Sequence, residues 1–547
     1  MIPTPPEPTR GRSFWPWVVL AGALVWGALV RVPLVLNAPV HLDSDLAVDG
    51  LTLLEAVHGH WRWHYPGTPY MGTLPVILSW PQAMLWEATP VTLVSGGAVA
   101  WLLLTVGVFA LAWCAFGRDV ASGALVPLAF CSTGAIWLSG RVTGGHVLTA
   151  AWHAVAFGLL YGALARGGRR WAALLGVWCG AGLWLDSMFA ATLAGLVPAA
   201  IGGWLARGAS RRAWRSALAF VVGFVAGSMP REAGRRMEPY DAYPAQFAMV
   251  RDRSVLVEHV RLLLRECVPR LVAGHRLPGY QSDPDARSLG GAAPLATNRE
   301  ATPLAIATTW AGLSLFLFSY AALAWSAVRP RDVSQGATVW GLLLSGAVVA
   351  GGFVANTNIF NADNYRYLIT LLVPGAIGFG LALRWIWGRG HGGQAVVVLT
   401  VAMVALLMTA DTARWYARLG WIDPRGLPIR EPLEYPALEW LNGHPEVRLI
   451  YGGYWDVYRL SFLSRGRVRG KPFTIFPDRF PEWTRGLPGE RPEITVISPG
   501  TGSVAYTNSA VRDGAEILMK GRGVAVMRWP VPGASKPNPR PAARPRS

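Results

Sequence analysis

A chain of 547 residues in which 52% are hydrophobic and only 15% charged falls well short of the roughly 25% charged residues of a water-soluble domain. This excludes a disordered chain and argues against a soluble enzyme, and the apolar residues gather in many runs of membrane-spanning length, so the sequence reads as one polytopic membrane body. The net charge of +18 is almost wholly arginine, with lysine only at Lys471, Lys520 and Lys536; in a chain this rich in Ala, Gly and Pro it marks a high-GC coding sequence and calls for no nucleic-acid partner.

A transmembrane helix needs about 20 apolar residues. That rule predicts about eleven spans, starting near Phe14, Val91, Leu125, Val147, Trp171, Met188, Arg215, Pro303, Ala337, Leu368 and Gln394. The first, running to about Leu36, is longer than a signal-peptide core and is read as a retained helix after a short tail, 1–13. Basic residues stay on the cytoplasmic side. Arg10 and Arg12, Arg118, Arg166 with Arg169 and Arg170, Arg207 with Arg211 and Arg212, Arg329 with Arg331, and Arg389 all fall on the side of the N-terminus. The predicted topology is therefore N-in and C-out. Cys114, Cys131, Cys179 and Cys267 show no CxxC spacing, which gives no metal or disulfide framework.

The same alternation places three long segments outside: 37–90, 230–302 and everything after about 411. In the first, Gly72 to Trp86 is apolar but interrupted by Pro75 and Pro81, the pattern of an interfacial or re-entrant helix. The fold expected is mainly α, a transmembrane bundle over 14–410 followed by a small extracytoplasmic α/β domain over 411–529. In that domain Glu434 to Leu441 and Tyr454 to Leu463 read as helices, and Val447 to Tyr451, Glu493 to Ile497 and Val524 to Trp529 as strands. The tail, 530–547, is rich in Pro and Arg and carries no apolar period.

The strongest chemical signal is His41-Leu42-Asp43-Ser44-Asp45-Leu46-Ala47-Val48-Asp49-Gly50, directly after the first span. Carboxylates at the boundary of an apolar body are costly to desolvate, and desolvation raises them towards the range useful to a general base. The three aspartates read either as a base or cation ligands, or as a solvated loop. Further along, Ser139-Gly140-Arg141-Val142-Thr143-Gly144-Gly145-His146 and Asn361-Ala362-Asp363-Asn364-Tyr365-Arg366-Tyr367-Leu368 each sit on the outer side. An arginine at a helix start at headgroup depth suits a phosphate, because its fork makes two charge-assisted hydrogen bonds; the alternative is a snorkelling anchor. His146 is either catalytic or a helix-capping residue. Asp186 reads as a loop tip or part of an acceptor cavity, and Arg231, Arg235 and Arg236 as a lipid-phosphate contact or a solvated interfacial cluster.

Asp45-Leu46-Ala47-Val48-Asp49-Gly50-Leu51, then Gly59, then Tyr65-Pro66-Gly67-Thr68-Pro69-Tyr70-Met71-Gly72-Thr73-Leu74 resembles the first outer loop of the GT-C superfamily of polytopic glycosyltransferases. Within it the chain is similar to bacterial enzymes akin to protein O-mannosyltransferases and lipopolysaccharide-core glycosyltransferases that use polyprenyl-phosphate sugars. The resemblance implies Asp45 as catalytic base, with Leu46 standing where the family has a second carboxylate and Asp43 or Asp49 as its substitute. It implies Arg366 and Tyr367, together with His146, Arg141, Tyr70 and Asp49, around the donor phosphate and substrate. It further implies transfer of a hexose, mannose-like or related, from polyprenyl phosphate to a protein, lipid or glycan acceptor at the outer face of a bacterial plasma membrane, by inverting displacement. A divalent metal, Mg or Mn, is left open: Asp43 and Asp45 could hold one, while relatives similar to the mannosyltransferases work without it. A transporter or flippase of a lipid-linked substrate would instead carry ionisable residues at mid-membrane and an internal repeat, and a membrane scaffold would use the last domain to bind a partner.

Overall fold

The computed structural model describes residues 14–530, apart from 143–144, 208–209, 245–247, 278–301, 433–434, 474–476, 484, 486–493, 498–502 and 522–523. The outer loop 230–302 therefore lies partly outside the described residues, as does the tail beyond Pro530. The chain divides into two compact units, 1–430 and 431–547. The boundary drawn at 411 from composition falls inside one helix, His391–Leu419, and the segment after it stays with the first unit because Asn37 donates to the Pro428 carbonyl and accepts from the Arg430 amide.

Every expected span start coincides with a helix, but not every helix is long enough to cross a bilayer. Among the described residues eight are: Trp15–Leu36 as one run, Pro90–Phe116, His146–Arg166, Ala213–Met237, Pro303–Val328, Val333–Ala355, Ala362–Trp387 and His391–Leu419, with Phe189–Leu205 a shorter apolar helix. The span expected from Leu125 is a broken one. Arg118–Ala129 and Thr133–Ser139 meet at 86°, so the pair makes a ninth span or a re-entrant loop. Ser132 caps the second piece through its Oγ, which accepts from the Ala135 amide, and Leu74–Trp86 forms the helix expected over Gly72 to Trp86 within the first outer segment.

Lipid supplies no hydrophobic drive for helices to associate, so close approach through small residues takes its place. Helices Arg169–Leu185 and Ser210–Met237 show this reciprocally. A Cβ on Gly176 or Gly180 would strike the carbonyls of Phe220 and Phe224, and one on Gly223 or Gly227 would strike those of Ala173 and Val177. Spacing by four puts each pair of glycines on one face. The first helix is tied in by Arg31, buried inside the bundle, whose Nε donates to Ser139 Oγ at 2.7 Å and Nη1 to the Gly27 carbonyl at 2.7 Å, with the guanidinium over Trp101 at 4.3 Å.

The second unit holds a five-stranded sheet in the order β4-β3-β5-β7-β6, from β3 Leu449–Gly452, β4 Arg469–Pro472, β5 Ile494–Ile497, β6 Glu516–Gly521 and β7 Val524–Arg528. β3 runs parallel to β4 and β5, while β7 is antiparallel to both β5 and β6. The helix Tyr454–Leu463 links β3 to β4, and Ile450, Leu460, Val468, Val496 and Val526 form the core. This is the α/β arrangement expected, with β4 and β6 added. Arg469-Gly470-Lys471-Pro472 carries no apolar alternation, and Gly470 is needed there because a Cβ would strike Val457.

The reciprocal glycine contact predicts that Gly180→Leu destabilises the protein by about 1–3 kcal/mol or more, the range for overpacking. Gly202, with open space beside it, tolerates Gly202→Ala with a change within about 1 kcal/mol. Thermal unfolding of the purified variants in detergent checks the contrast.

Candidate active site

The first loop opens with a helix start that the sequence dictates. Asp43 is the N-cap of Ser44–Val57, its Oδ1 accepting from the Leu46 amide at 2.8 Å, which satisfies one of the four orphan amides of a helix N-terminus. Its Oδ2 is 2.6 Å from Arg141 Nη1. Arg141 is held by the end of the bent pair and stacks over Trp137 at 5.0 Å. Asp43 is thus occupied twice, as a cap and as half of an ion pair. Asp45 lies in the first helical turn, and Asp49, one turn further along the same face, is buried.

Two residues before the cap, His41 is 1% exposed. Its Nε2 donates to the Leu34 carbonyl at 2.9 Å, and its ring packs against Trp137 and Trp421. Burial, aided by the nearby Arg141 charge, pulls this histidine down to about 4 against a partial opposing effect of the Leu34 bond. It is therefore a neutral packing residue beneath Arg141.

Arg366 and Tyr367 lie in the 3-10 turn Ala362–Leu371, which leads into the helix Leu372–Trp387. Asn361 and Asn364 fix that turn: Asn361 Oδ1 accepts from the Asp363 amide and Asn364 Oδ1 from the Phe360 and Asn361 amides. Arg366 Nη2 donates to Tyr367 Oη at 3.3 Å, and Asp45 and Asp363 both attract the Arg366 charge. Tyr367 meets the His146 ring edge-on at 5.4 Å, and His146 Nδ1 is 3.4 Å from Asp186 Oδ2. Asp186 in turn pairs across Met71 of β2, the second strand of a small hairpin, β1 His64–Tyr65 and β2 Thr68–Gly72. Beside it the Tyr70 carbonyl accepts from the Ser187 amide at 3.2 Å. The result is a chain of contacts running from the hairpin through Asp186, His146 and Tyr367 to Arg366, with Asp45 near enough to attract the Arg366 charge.

Of the residues expected from sequence, Asp45, Arg366, Tyr367 and His146 come together, Asp43 and Arg141 pair with each other, and Tyr70 enters through its backbone. Asp186, read as a loop tip or cavity residue, is the partner of His146. Arg231 joins through its backbone, accepting from His64 Nε2 at 3.1 Å. One residue was not foreseen. Arg270, in the short helix Val268–Ala273, is 2% exposed and bonds Asp363 through Nη1 at 2.7 Å. Nothing in spacing separates it from Arg265 or Arg276 in the same arginine-rich loop; only the pairing with Asp363 does. No group of three or more His, Cys, Asp or Glu is placed to hold a metal among the described residues. With Asp43 engaged by Arg141 and Leu46, the Asp43-Ser44-Asp45 run does not present a ready pair of cation ligands.

The first unit also holds an apolar crevice of about 80 Å³, far more than one water needs. Leu128, Leu271, Phe316, Leu372, Phe379 and Met408 are among its lining. Leu271 follows Arg270 directly in the same short helix, and Leu372 opens the helix that continues the turn carrying Arg366, so the charged cluster leads along the chain into the crevice, although its own charged residues do not line it.

No protein-family model matches the chain, and no curated protein sequence does. Solved structures match its fold. ArnT from Cupriavidus metallidurans bound to undecaprenyl phosphate aligns with a TM-score of 0.57 at 14% identity, over 94% of this chain and 98% of that one. The archaeal oligosaccharyltransferase AglB from Archaeoglobus fulgidus, in complex with an inhibitory peptide and a dolichol-phosphate, aligns with a TM-score of 0.51 at 13% identity, over 92% of this chain and 71% of that one. The fold is thus shared with ArnT and AglB. With ArnT it is shared over nearly the whole of both chains, membrane body and terminal sheet domain included.

Because His41 is neutral when folded, its contribution to stability is whole above the unfolded value of about 6.5 and is lost as pH falls from there through about 4. His41→Gln is expected to flatten the acid limb of stability between pH 7 and 4, as read by unfolding temperature against pH. Asp43→Ala loses both cap and ion pair, whereas Asp43→Asn keeps a cap; the alanine variant should be less stable by about 1 kcal/mol, measured by thermal unfolding.

Proposed function

We propose that the protein is a membrane glycosyltransferase that moves a sugar, a hexose or a related one, from a polyprenyl-phosphate carrier to an acceptor hydroxyl. The reaction takes place at the membrane face that bears the first loop, the extracytoplasmic face of a bacterial plasma membrane. The observation that carries this reading is the arginine and carboxylate cluster, whose short helix and turn lead along the chain into residues that line an apolar crevice. A lipid-borne sugar phosphate presents the matching chemistry, with a hydrocarbon tail for the crevice and an anionic head for the guanidinium groups. The fold shared with ArnT and AglB, both solved with polyprenyl-type phosphates, supports it, as does the positive-inside distribution of arginines around the loops.

Asp45 is the base in this reading. It lies within electrostatic reach of Arg366, so the group that takes the acceptor proton and the group that receives the leaving phosphate share one site. As the acceptor oxygen attacks the anomeric carbon, its proton passes to Asp45, and the carbon–oxygen bond to the phosphate breaks with the electron pair going to the phosphate. Arg366 stabilises that growing charge. A single displacement inverts the anomeric centre. Asp43 is assigned a supporting part, holding Arg141 in place, and His146 a positioning one, fixed by Asp186 and packed on Tyr367 beside Arg366. The acceptor hydroxyl belongs to a protein, lipid or glycan of the cell envelope.

Release of polyprenyl phosphate from a labelled polyprenyl-phosphate hexose, supplied with a panel of envelope acceptors, is the test. The wild-type protein is expected to release it, and Asp45→Asn to slow release by about 10²–10⁴-fold, the usual worth of a general base. Arg366→Lys keeps the charge but loses the fork and should also fall. Equal release by wild type and Asp45→Asn would remove Asp45 from the mechanism. Absence of release with every donor and acceptor would favour a transporter or a scaffold.

A further inference from the structure

The anion position between Arg270 and Arg366 is already filled by the protein itself. Residues three apart in a 3-10 turn lie one above the other, so Asp363 and Arg366 share a face of the turn Ala362–Leu371. Asp363 is bonded at 2.7 Å by Arg270 from the neighbouring short helix, and it attracts Arg366 from within its own turn. The two arginines also keep capacity in reserve. Arg270 Nη2 and Arg366 Nε are both buried and find no hydrogen-bond acceptor among the described residues. Arg270 is 2% exposed, while the Asp363 side chain is 33% exposed, so the carboxylate has somewhere to go and the guanidinium does not. Two guanidinium groups with unused donors around one carboxylate match a ligand with more acceptor oxygens than a carboxylate has, and a phosphoryl group offers three. A buried arginine is costly to leave without a partner. Asp363 supplies one to Arg270 when no ligand is bound.

We propose that the Asp363 carboxylate is a resident stand-in for a phosphoryl group, and that a phosphoryl-bearing ligand binds by displacing it and taking both Arg270 and Arg366. For a lipid-borne phosphate this rests on the donor reading above. Arg270 is then the second arm of the phosphate site, and Asp363 sets the affinity by competing for it. The exchange leaves the number of buried charges matched at each stage, which keeps the short helix Val268–Ala273 in place whether or not donor is bound. It also favours release of the product phosphate, since the carboxylate returns as the phosphate leaves.

Equilibrium binding of polyprenyl phosphate, polyprenol and inorganic phosphate to the purified full chain in nanodiscs tests this for wild type, Asp363→Asn and Arg270→Gln. With its competitor removed, Asp363→Asn is expected to bind polyprenyl phosphate roughly tenfold more tightly than wild type, and Arg270→Gln to bind it more weakly. Unchanged or weaker binding by Asp363→Asn would overturn the proposal. If wild type binds polyprenyl phosphate no better than polyprenol, the donor reading fails; tighter inorganic-phosphate binding by Asp363→Asn would then still uphold the exchange, and no such gain would overturn it too. A second measurement needs no variant. Carbodiimide labelling of Asp363 in the wild-type protein, read by peptide mass, should rise when polyprenyl phosphate saturates the site, and unchanged or reduced labelling contradicts displacement.

Discussion

A guanidinium held at 2% exposure inside an apolar bundle is tolerable only with polar partners beside it, because desolvating an unpaired charge costs several kcal/mol. That constraint organises the first unit. Arg270 requires Asp363, so the short helix Val268–Ala273 and the turn Ala362–Leu371 are held together. Arg141 requires Asp43, so the end of the bent helix pair is pinned to the start of the first-loop helix. Arg31 has hydroxyl, carbonyl and aromatic partners and locks the first helix to the same bent pair. Tyr365 adds a neutral tie by donating its hydroxyl to the Gly134 carbonyl at 2.9 Å. The bent pair, the first-loop helix, the short helix and the 3-10 turn thus meet in one place because their charges leave no alternative.

The same requirement joins structure to chemistry. The arginines of the cluster are already engaged by carboxylates and a tyrosine hydroxyl of the protein, so in the exchange proposed above an incoming anion displaces a carboxylate rather than simply adding. In the proposed reading the head group of a lipid-borne donor meets the cluster and its tail the crevice, into which the short helix and the turn lead along the chain. The shared fold with ArnT and AglB supplies the frame on which this stands.

Much of this was legible in the sequence, and the reasons divide cleanly. Span positions follow from runs of apolar residues, a signal that needs no partner, and all eleven expected starts coincide with helices. The break after Ala129 was not legible, because Phe130-Cys131-Ser132 is as apolar as a continuing helix. Asp45, Arg366 and His146 stood out as polar residues at the ends of apolar runs. The role of Asp43 did not: a helix cap and a general base look alike in sequence, and only Arg141, 98 positions away (141 − 43), separates them. Arg270 was hidden among similar arginines, and its partner lies 93 positions on. In the second unit β3, β5 and β7 read as strands from their apolar runs, whereas the edge strand β4 is polar and the edge strand β6 offers only Ile517-Leu518-Met519 between charged residues.

The central claim is that the arginine and carboxylate cluster is where the phosphate of a lipid-linked donor binds, with the crevice taking its tail. Single-particle cryo-electron microscopy of the full chain in nanodiscs with saturating polyprenyl phosphate tests it most directly. The account predicts a phosphate within hydrogen-bonding distance of Arg366, with the isoprenoid tail along Leu271, Phe316 and Leu372. Density for the phosphate at the opposite end of the helices, or a tail that bypasses the crevice, would contradict it.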